Sequence, residues 1–233
     1  MRWQSREESP RVSFAKSDNP MRPAALLFCL FVLTTLTRAQ DFQLWDELDL
    51  TASWRKVDLL VPLLARTDTR LPNPQLAATG ITADFPLPWH LTLTGGYLFA
   101  DLPQRSDKVH LPLIALSKAF RGRRFTITDR NRFEELIGYP TSPVRYRNRL
   151  MVDRSFGGHD GWHLVVDDEI VFNLSNDSWN QNRFQAGGGA RLNRRLFLDF
   201  YYLQRNPSGG APTTRVLGTT LRVTLTPKLG AQD

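Results

Sequence analysis

The residues best placed to do chemistry are arginines and acids spaced two apart. Arg130, Arg132 and Glu134 form one such run, Arg145, Arg147 and Arg149 a second, and Asp167 and Glu169 a third. Glu47 and Asp49, Arg183 and Arg191, Asp199 and Arg222 sit in stretches of the same kind. In an extended chain, residues two apart project from the same face. Arginine's planar fork grips a carboxylate through two parallel hydrogen bonds, whereas lysine is a mobile point charge. Lys56, Lys108, Lys118 and Lys228 fall in turns or at segment ends. The pattern therefore predicts a cross-strand lattice of ion pairs inside a sheet structure. The surplus of arginine over acid gives the alternative of a mildly anion-selective constriction.

Catalytic and metal chemistry find less support. Four histidines are present, His90, His110, His159 and His163. His163 and Asp167 share a face, but along an extended strand they stand about 13 Å apart, too far for a hydrogen bond. His159-Asp160 lies in a Gly-rich turn, and neither Ser53 nor Ser117 has an evident base. The histidines share no ligand spacing, so no metal and no cofactor is expected. Gly187-Gly188-Gly189 lacks the Lys-Ser/Thr and the helix of a phosphate loop and reads as a place of close packing.

The elements that must hold these side chains repeat with period two. Alternation marks eleven stretches, roughly 41–54, 57–66, 75–85, 90–100, 110–120, 124–137, 143–154, 162–174, 182–192, 196–205 and 214–226. Thr126, Thr128, Arg130, Arg132 and Glu134 oppose Phe125, Ile127 and Phe133; His163, Asp167 and Glu169 oppose Leu164, Val166, Ile170 and Phe172. Strands of soluble sandwiches run to about five or six residues, and a strand crossing a bilayer needs about 9–11. In lipid every backbone polar group must be paired, so such a sheet has to close. The predicted fold is all-β: an antiparallel up-and-down transmembrane barrel of 10–12 strands, apolar face outward and charged face toward the lumen. Single-chain bacterial barrels have even strand numbers, which favours ten or twelve over the eleven stretches counted. Short links alternate with longer ones at 67–74, 101–109, 138–142, 175–181 and 206–213. Trp54, Trp89, Tyr97, Phe99, Trp162 and Tyr202 fall near segment ends, where aromatic girdles meet the two membrane interfaces.

Ahead of the alternating region, residues 1–39 read as a polar extension followed by an export signal. Arg22 precedes the apolar run 24–37, and a small-residue site ends at Ala39. Translation starting at Met21 would shorten the extension. The run is too short for a membrane helix, which takes roughly 20 residues. Residues 40–233 would form the barrel. The whole chain has 30 basic and 23 acidic residues. Residues 1–39 hold six of the basic and three of the acidic ones, leaving 24 against 20, an excess too small to suggest a nucleic-acid partner. The one cysteine, Cys29, lies in the apolar run, so a mature barrel would have no disulfide and no thiolate site.

Trp45 with Glu47, Arg130-Asn131-Arg132-Phe133-Glu134, Arg145-Tyr146-Arg147, Asp168-Glu169-Ile170-Val171-Phe172 and Asn180-Gln181-Asn182-Arg183-Phe184 occur in this order. The series resembles the bacterial outer-membrane barrel family catalogued as domain of unknown function 2490. That resemblance implies export through the general secretory route, location in a Gram-negative outer membrane, outer-membrane lipids and the barrel assembly machinery as partners, and no assigned activity. The chain departs from such barrels in lacking a terminal aromatic residue. The leading reading is a structural barrel or narrow passive conduit rather than an enzyme. A lipid- or lipopolysaccharide-modifying enzyme is the alternative, and a soluble lipocalin-like periplasmic barrel, which needs a polar exterior, comes third.

Overall fold

The computed structural model describes residues 42–68, 74–139, 143–156 and 161–226. The export segment, Cys29 and the His159-Asp160 turn lie outside these residues. Among the described residues there are eleven strands and no helix: β1 (Phe42–Trp54), β2 (Val57–Asp68), β3 (Leu76–Leu87), β4 (Leu91–Leu102), β5 (Asp107–Arg121), β6 (Phe125–Glu135), β7 (Val144–Phe156), β8 (Trp162–Asn173), β9 (Ser178–Arg191), β10 (Leu196–Pro207) and β11 (Thr214–Thr226). Each strand pairs with its sequence neighbours, and β1 pairs with β11 to close a barrel.

Closure corrects two expectations. The strand number is odd, and the barrel is not antiparallel throughout: β1 and β11 run parallel, with Leu48 opposite Leu221 and Asp49 opposite Arg222. An odd number of up-and-down strands leaves the first and last pointing the same way, so the ring can only close through a parallel pair. The even-number rule describes barrels whose closing pair is antiparallel. Here a run of ten matched positions, Phe42 to Thr51 against Arg215 to Thr224, supplies the last ladder without a break. As a result, the start of β1 and the end of β11 lie at opposite ends of the barrel. The links at 55–56, 88–90, 122–124, 157–161 and 192–195 share the end with the last residue of β1. Those at 69–75, 103–106, 136–143, 174–177 and 208–213 share the other. The links near 103 and 176 are shorter than alternation suggests, because β4, β5 and β9 extend into them.

A strand of 12 residues is about 40 Å long, and tilted at about 40° it spans about 30 Å, close to the hydrocarbon thickness of a bilayer. Outward positions carry large apolar side chains that nothing covers, among them Ile81, Ile114, Leu116, Leu150, Val152, Leu164, Phe184 and Phe200. The interior is not uniform. From β6 to β11 it is filled by charged and aromatic side chains. From β2 to β5 its inward positions are mostly Leu, Ala, Thr, Val and Pro, with Arg66, Asp84 and Ser117 toward the strand ends, and a buried cluster of Ala100, Val109 and Leu136 packs with Leu76, Ala78, Leu102, Leu111 and Tyr139. Two glycines make room on the filled side. A Cβ on Gly218 would overlap the ring of Tyr201, and one on Gly189 would collide with the Asp199 carboxylate. The β2–β3 ladder lapses at Val61 and Pro62, which pair with nothing on β3 although the register is unchanged on either side. Pro62 has no N–H to offer there.

The closing pair is open to a direct test. With Cys29 replaced by serine, Leu48→Cys combined with Leu221→Cys should oxidise to an intramolecular cross-link, seen as faster migration on a non-reducing gel. Leu48→Cys with Leu116→Cys should not cross-link.

Candidate functional site

The register of β6 on β7 places like charges side by side. Arg130 stands opposite Arg149 and Arg132 opposite Arg147, while Glu134 meets Arg145. Directly opposed like charges destabilise a sheet, so the arrangement depends on acids arriving from the flanks. Glu134 receives Arg132 at 2.5 Å, Arg147 at 3.3 Å, and Arg145 more closely still. Glu169 of β8 receives Arg147 at 2.6 Å, Arg130 at 3.2 Å and Arg183 at 3.4 Å. Arg147 is therefore the bridge between the two glutamates. Asp167 takes a two-pronged contact from Arg149, Nε at 2.9 Å and Nη2 at 2.7 Å. These acids are deeply buried, Glu134 only 2% exposed.

A second knot lies toward the opposite end of β8. His163 presents Nδ1 to Asp153 of β7 and Nε2 to Asp199 of β10, the latter at 2.7 Å, and Phe197 meets its ring edge-on at 5.1 Å. Arg222 Nε donates to the other Asp199 oxygen at 2.9 Å. Each imidazole nitrogen is engaged by a carboxylate, so neither is free to serve as a base toward a substrate. Ser155 is opposite His163 in the ladder but donates to Asp153, at 3.4 Å. The group is an Asp–His–Asp clamp across β7, β8 and β10. Sequence reasoning weighed His163 only against Asp167. The true partners come from other strands, with Gly189 leaving the gap between them, and strand parity alone does not show this.

The remaining charged positions are placed as follows. Glu47 and Asp49 lie side by side on β1, with Arg66 and Arg149 as cationic neighbours of Glu47 and Arg222 as that of Asp49. Neither is within ion-pair distance of an arginine among the described residues. Arg191 is at the end of β9, exposed, and joins no ion pair there. Of the girdle residues, Trp54 and Trp89 stand far out at the short-turn end, and Trp162 stacks on Phe156 at 4.1 Å at the same end. Phe99 lies against His110 at 5.4 Å. Tyr97 and Tyr202 are not at strand ends: they face Ile81 and Pro112, and Ala186 and Leu217, mid-strand. Both strands run two residues past the segments read from alternation, which moves these tyrosines inward from the rim. Trp179, packed edge-on against Phe172 at 5.1 Å, sits at the other end.

Two features escaped the sequence pattern. Arg66 and Arg205 also face the lumen. The Arg66 guanidinium carbon sits over the Trp45 ring at 3.7 Å, and its Nε, like that of Arg205, is buried without a hydrogen-bond partner. Neither has an acid within ion-pair distance among the described residues. On the outside, β6–β9 carry a polar ladder: Asn148 donates to Asp129 at 2.6 Å and to Asn131 at 3.1 Å, Tyr146 donates to Asn131 at 2.5 Å, and Asn182 donates to Asp168 at 2.7 Å. Among the described residues no three His, Cys, Asp or Glu side chains group closely enough to hold a metal ion.

The fold and interior define a closed β-barrel with an apolar wall outside and an ion-paired lattice inside. The family model described as "Protein of unknown function (DUF2490)" matches residues 42–215, and the chain belongs to that family. No curated protein matches it.

The geometry ranks two substitutions. Glu134→Gln leaves three guanidinium groups around a neutral amide and should cost about 3–5 kcal/mol, read by denaturant unfolding in detergent. Arg132→Ala should cost clearly less, because Glu134 keeps Arg145 and Arg147. A larger loss for Arg132→Ala would break this order.

Proposed function

We propose that this chain is an integral outer-membrane barrel whose lattice makes the lumen a narrow, arginine-lined passage rather than a wide pore. The observation that carries the reading is the reversal of ordinary protein surfaces. Large aliphatic and aromatic side chains cover the outer wall, while among the described residues seven arginines and four acids are paired within. A soluble monomer rarely exposes such a continuous apolar surface, and a bilayer turns it into a favourable one. Tryptophans at the short-turn end suit an interface, since indole has both an apolar body and a polar N–H. The Asp–His–Asp clamp lacks a free base, which favours a structural or conducting role over an enzyme acting on lipid. Export by the residues preceding the barrel and insertion by the assembly machinery complete the proposal.

Cell fractionation tests it. The protein should stay in the membrane pellet after carbonate and high-salt washing and leave only with detergent; release by salt or carbonate would overturn the membrane reading. In planar bilayers the purified barrel should give only small, anion-favouring currents, and large, stable, unselective steps would overturn the narrow lumen.

A further inference from the structure

The lumen holds a cavity of about 790 Å³ whose two walls differ in chemistry. One wall, from β2 to β5, is mainly aliphatic, with Leu60, Leu64, Leu98, Leu111, Leu113 and Ala115, and turns polar where Thr94 donates to Asp84 and Ser117 joins the lining. The other is cationic. Arg66, Arg183 and Arg205 all line the cavity and lie within electrostatic reach of one another. Of the three, only Arg183 touches an acid, Glu169, which it shares with Arg130 and Arg147. The Arg66 guanidinium sits over the Trp45 ring and lines the cavity. All three keep a buried Nε with no acceptor.

The central arginines have carboxylates in contact, whereas Arg66 has Glu47 only as a more distant acidic neighbour and Arg205 touches no acid among the described residues; the passage of small ions alone does not call for leucine along one side. A buried guanidinium with no carboxylate in contact is costly, and leucine lining a lumen favours an apolar chain over water. One molecule can relieve both. We propose that the cavity binds a single amphipathic anion, an aliphatic chain along β2–β5 with a carboxylate or phosphate head on the Arg66–Arg183–Arg205 cluster. The volume is that of an ordinary small-molecule site. Pro62, where the β2–β3 ladder lapses, lines this same cavity. On the outer wall beside the lapse, Leu63, Ala65, Ala77, Thr79 and Phe99 line a depression of about 500 Å³, which gives a chain from the surrounding lipid a place to approach.

The inference names the occupant of the lumen described above, and its test reads separately from membrane insertion. The full chain, folded in a non-ionic detergent, is mixed in parallel with hexadecanoate, 1-hexadecanoyl-lysophosphatidylglycerol, hexadecan-1-ol and inorganic phosphate. Native mass spectrometry and thermal melting are the readouts. A single bound copy of either amphiphilic anion with a raised melting temperature supports the proposal, and comparing the two tells a free carboxylate from a lipid head. Hexadecan-1-ol or phosphate alone should give neither effect. Arg66→Gln and Arg205→Gln should each weaken binding at least tenfold while the heat-dependent gel shift of the folded barrel is kept. Leu113→Trp, which fills the apolar side and leaves every charge in place, should abolish the adduct. Equal binding of the alcohol, or undiminished binding by Arg66→Gln and Leu113→Trp, would overturn the site. A barrel that binds the anion yet washes off membranes with carbonate would overturn the membrane reading alone.

Discussion

Arg147 carries the constraint on which the interior depends. Its register on β7 sets it against Arg132, one strand over, an opposition that no sheet tolerates unrelieved. Its guanidinium reaches Glu134 on β6 and Glu169 on β8 together. Each glutamate then collects two further arginines, so six cations on β6, β7 and β9 are tied through three acids on β6 and β8 once Asp167 is counted. Such a knot has one satisfactory geometry. Slipping β7 by a single residue would turn Arg145, Arg147 and Arg149 outward and bring Tyr146 and Asn148 into the lumen. The lattice thus fixes register as well as holding charge, and it leaves the barrel's twist to be absorbed on the opposite side, where small and aliphatic residues pack without directional demands.

That division of labour explains why the lumen is lopsided. Charged forks need partners at set distances and crowd together; leucine and alanine accept any neighbour. With Tyr201 laid over Gly218 and the clamp of Asp153, His163 and Asp199 using the gap at Gly189, β7–β11 consume their half of the interior. The β2–β5 half is left with space. Arg66 and Arg205 border that space: Glu134, Glu169 and Asp167 serve the central arginines, and Glu47 is near Arg66 without reaching ion-pair distance.

Much of this was legible in the sequence, for a definite reason. Where one face is charged and the other apolar, as in Phe125–Glu135 or Trp162–Asn173, alternation names both the strand and its orientation. In β2 it fails: Asp58, Leu60, Pro62, Leu64 and Arg66 point inward and Leu59, Val61, Leu63 and Ala65 outward, so the two faces differ little and the single terminal arginine goes unnoticed. Contacts that skip strands are also out of reach, since parity gives the face of His163 but not that Asp199 lies two strands away. The closing pair is hidden for a related reason: counting strands gives their number, whereas the parallel join of β1 to β11 depends on where the two ends of the sheet meet.

The polar ladder on the outer wall shows how a largely apolar exterior can carry an acid. A lone carboxylate amid apolar side chains would be expensive. Asp129 is not alone: Asn131 and Asn148 each give it an amide proton, and Tyr146 closes the group by donating to the Asn131 oxygen that Asn148 also reaches. These donors find their acceptors within the cluster, so the acid is satisfied by its neighbours on the wall. Asp168 and Asn182 repeat the device on β8 and β9. These strands are also the ones bearing the arginine lattice on their inner face, where Asp167 and Glu169 flank Asp168. The same stretch of sheet is thus locked by polar bonds on both sides, whereas β3–β5 carry fewer of them, Thr94 to Asp84 inside and Tyr97 with His110 outside, and the β2–β3 ladder is interrupted at Pro62. The wall is most densely cross-bonded where the charges are held and least so beside the aliphatic half of the lumen, the side on which a ligand's chain would have to lie.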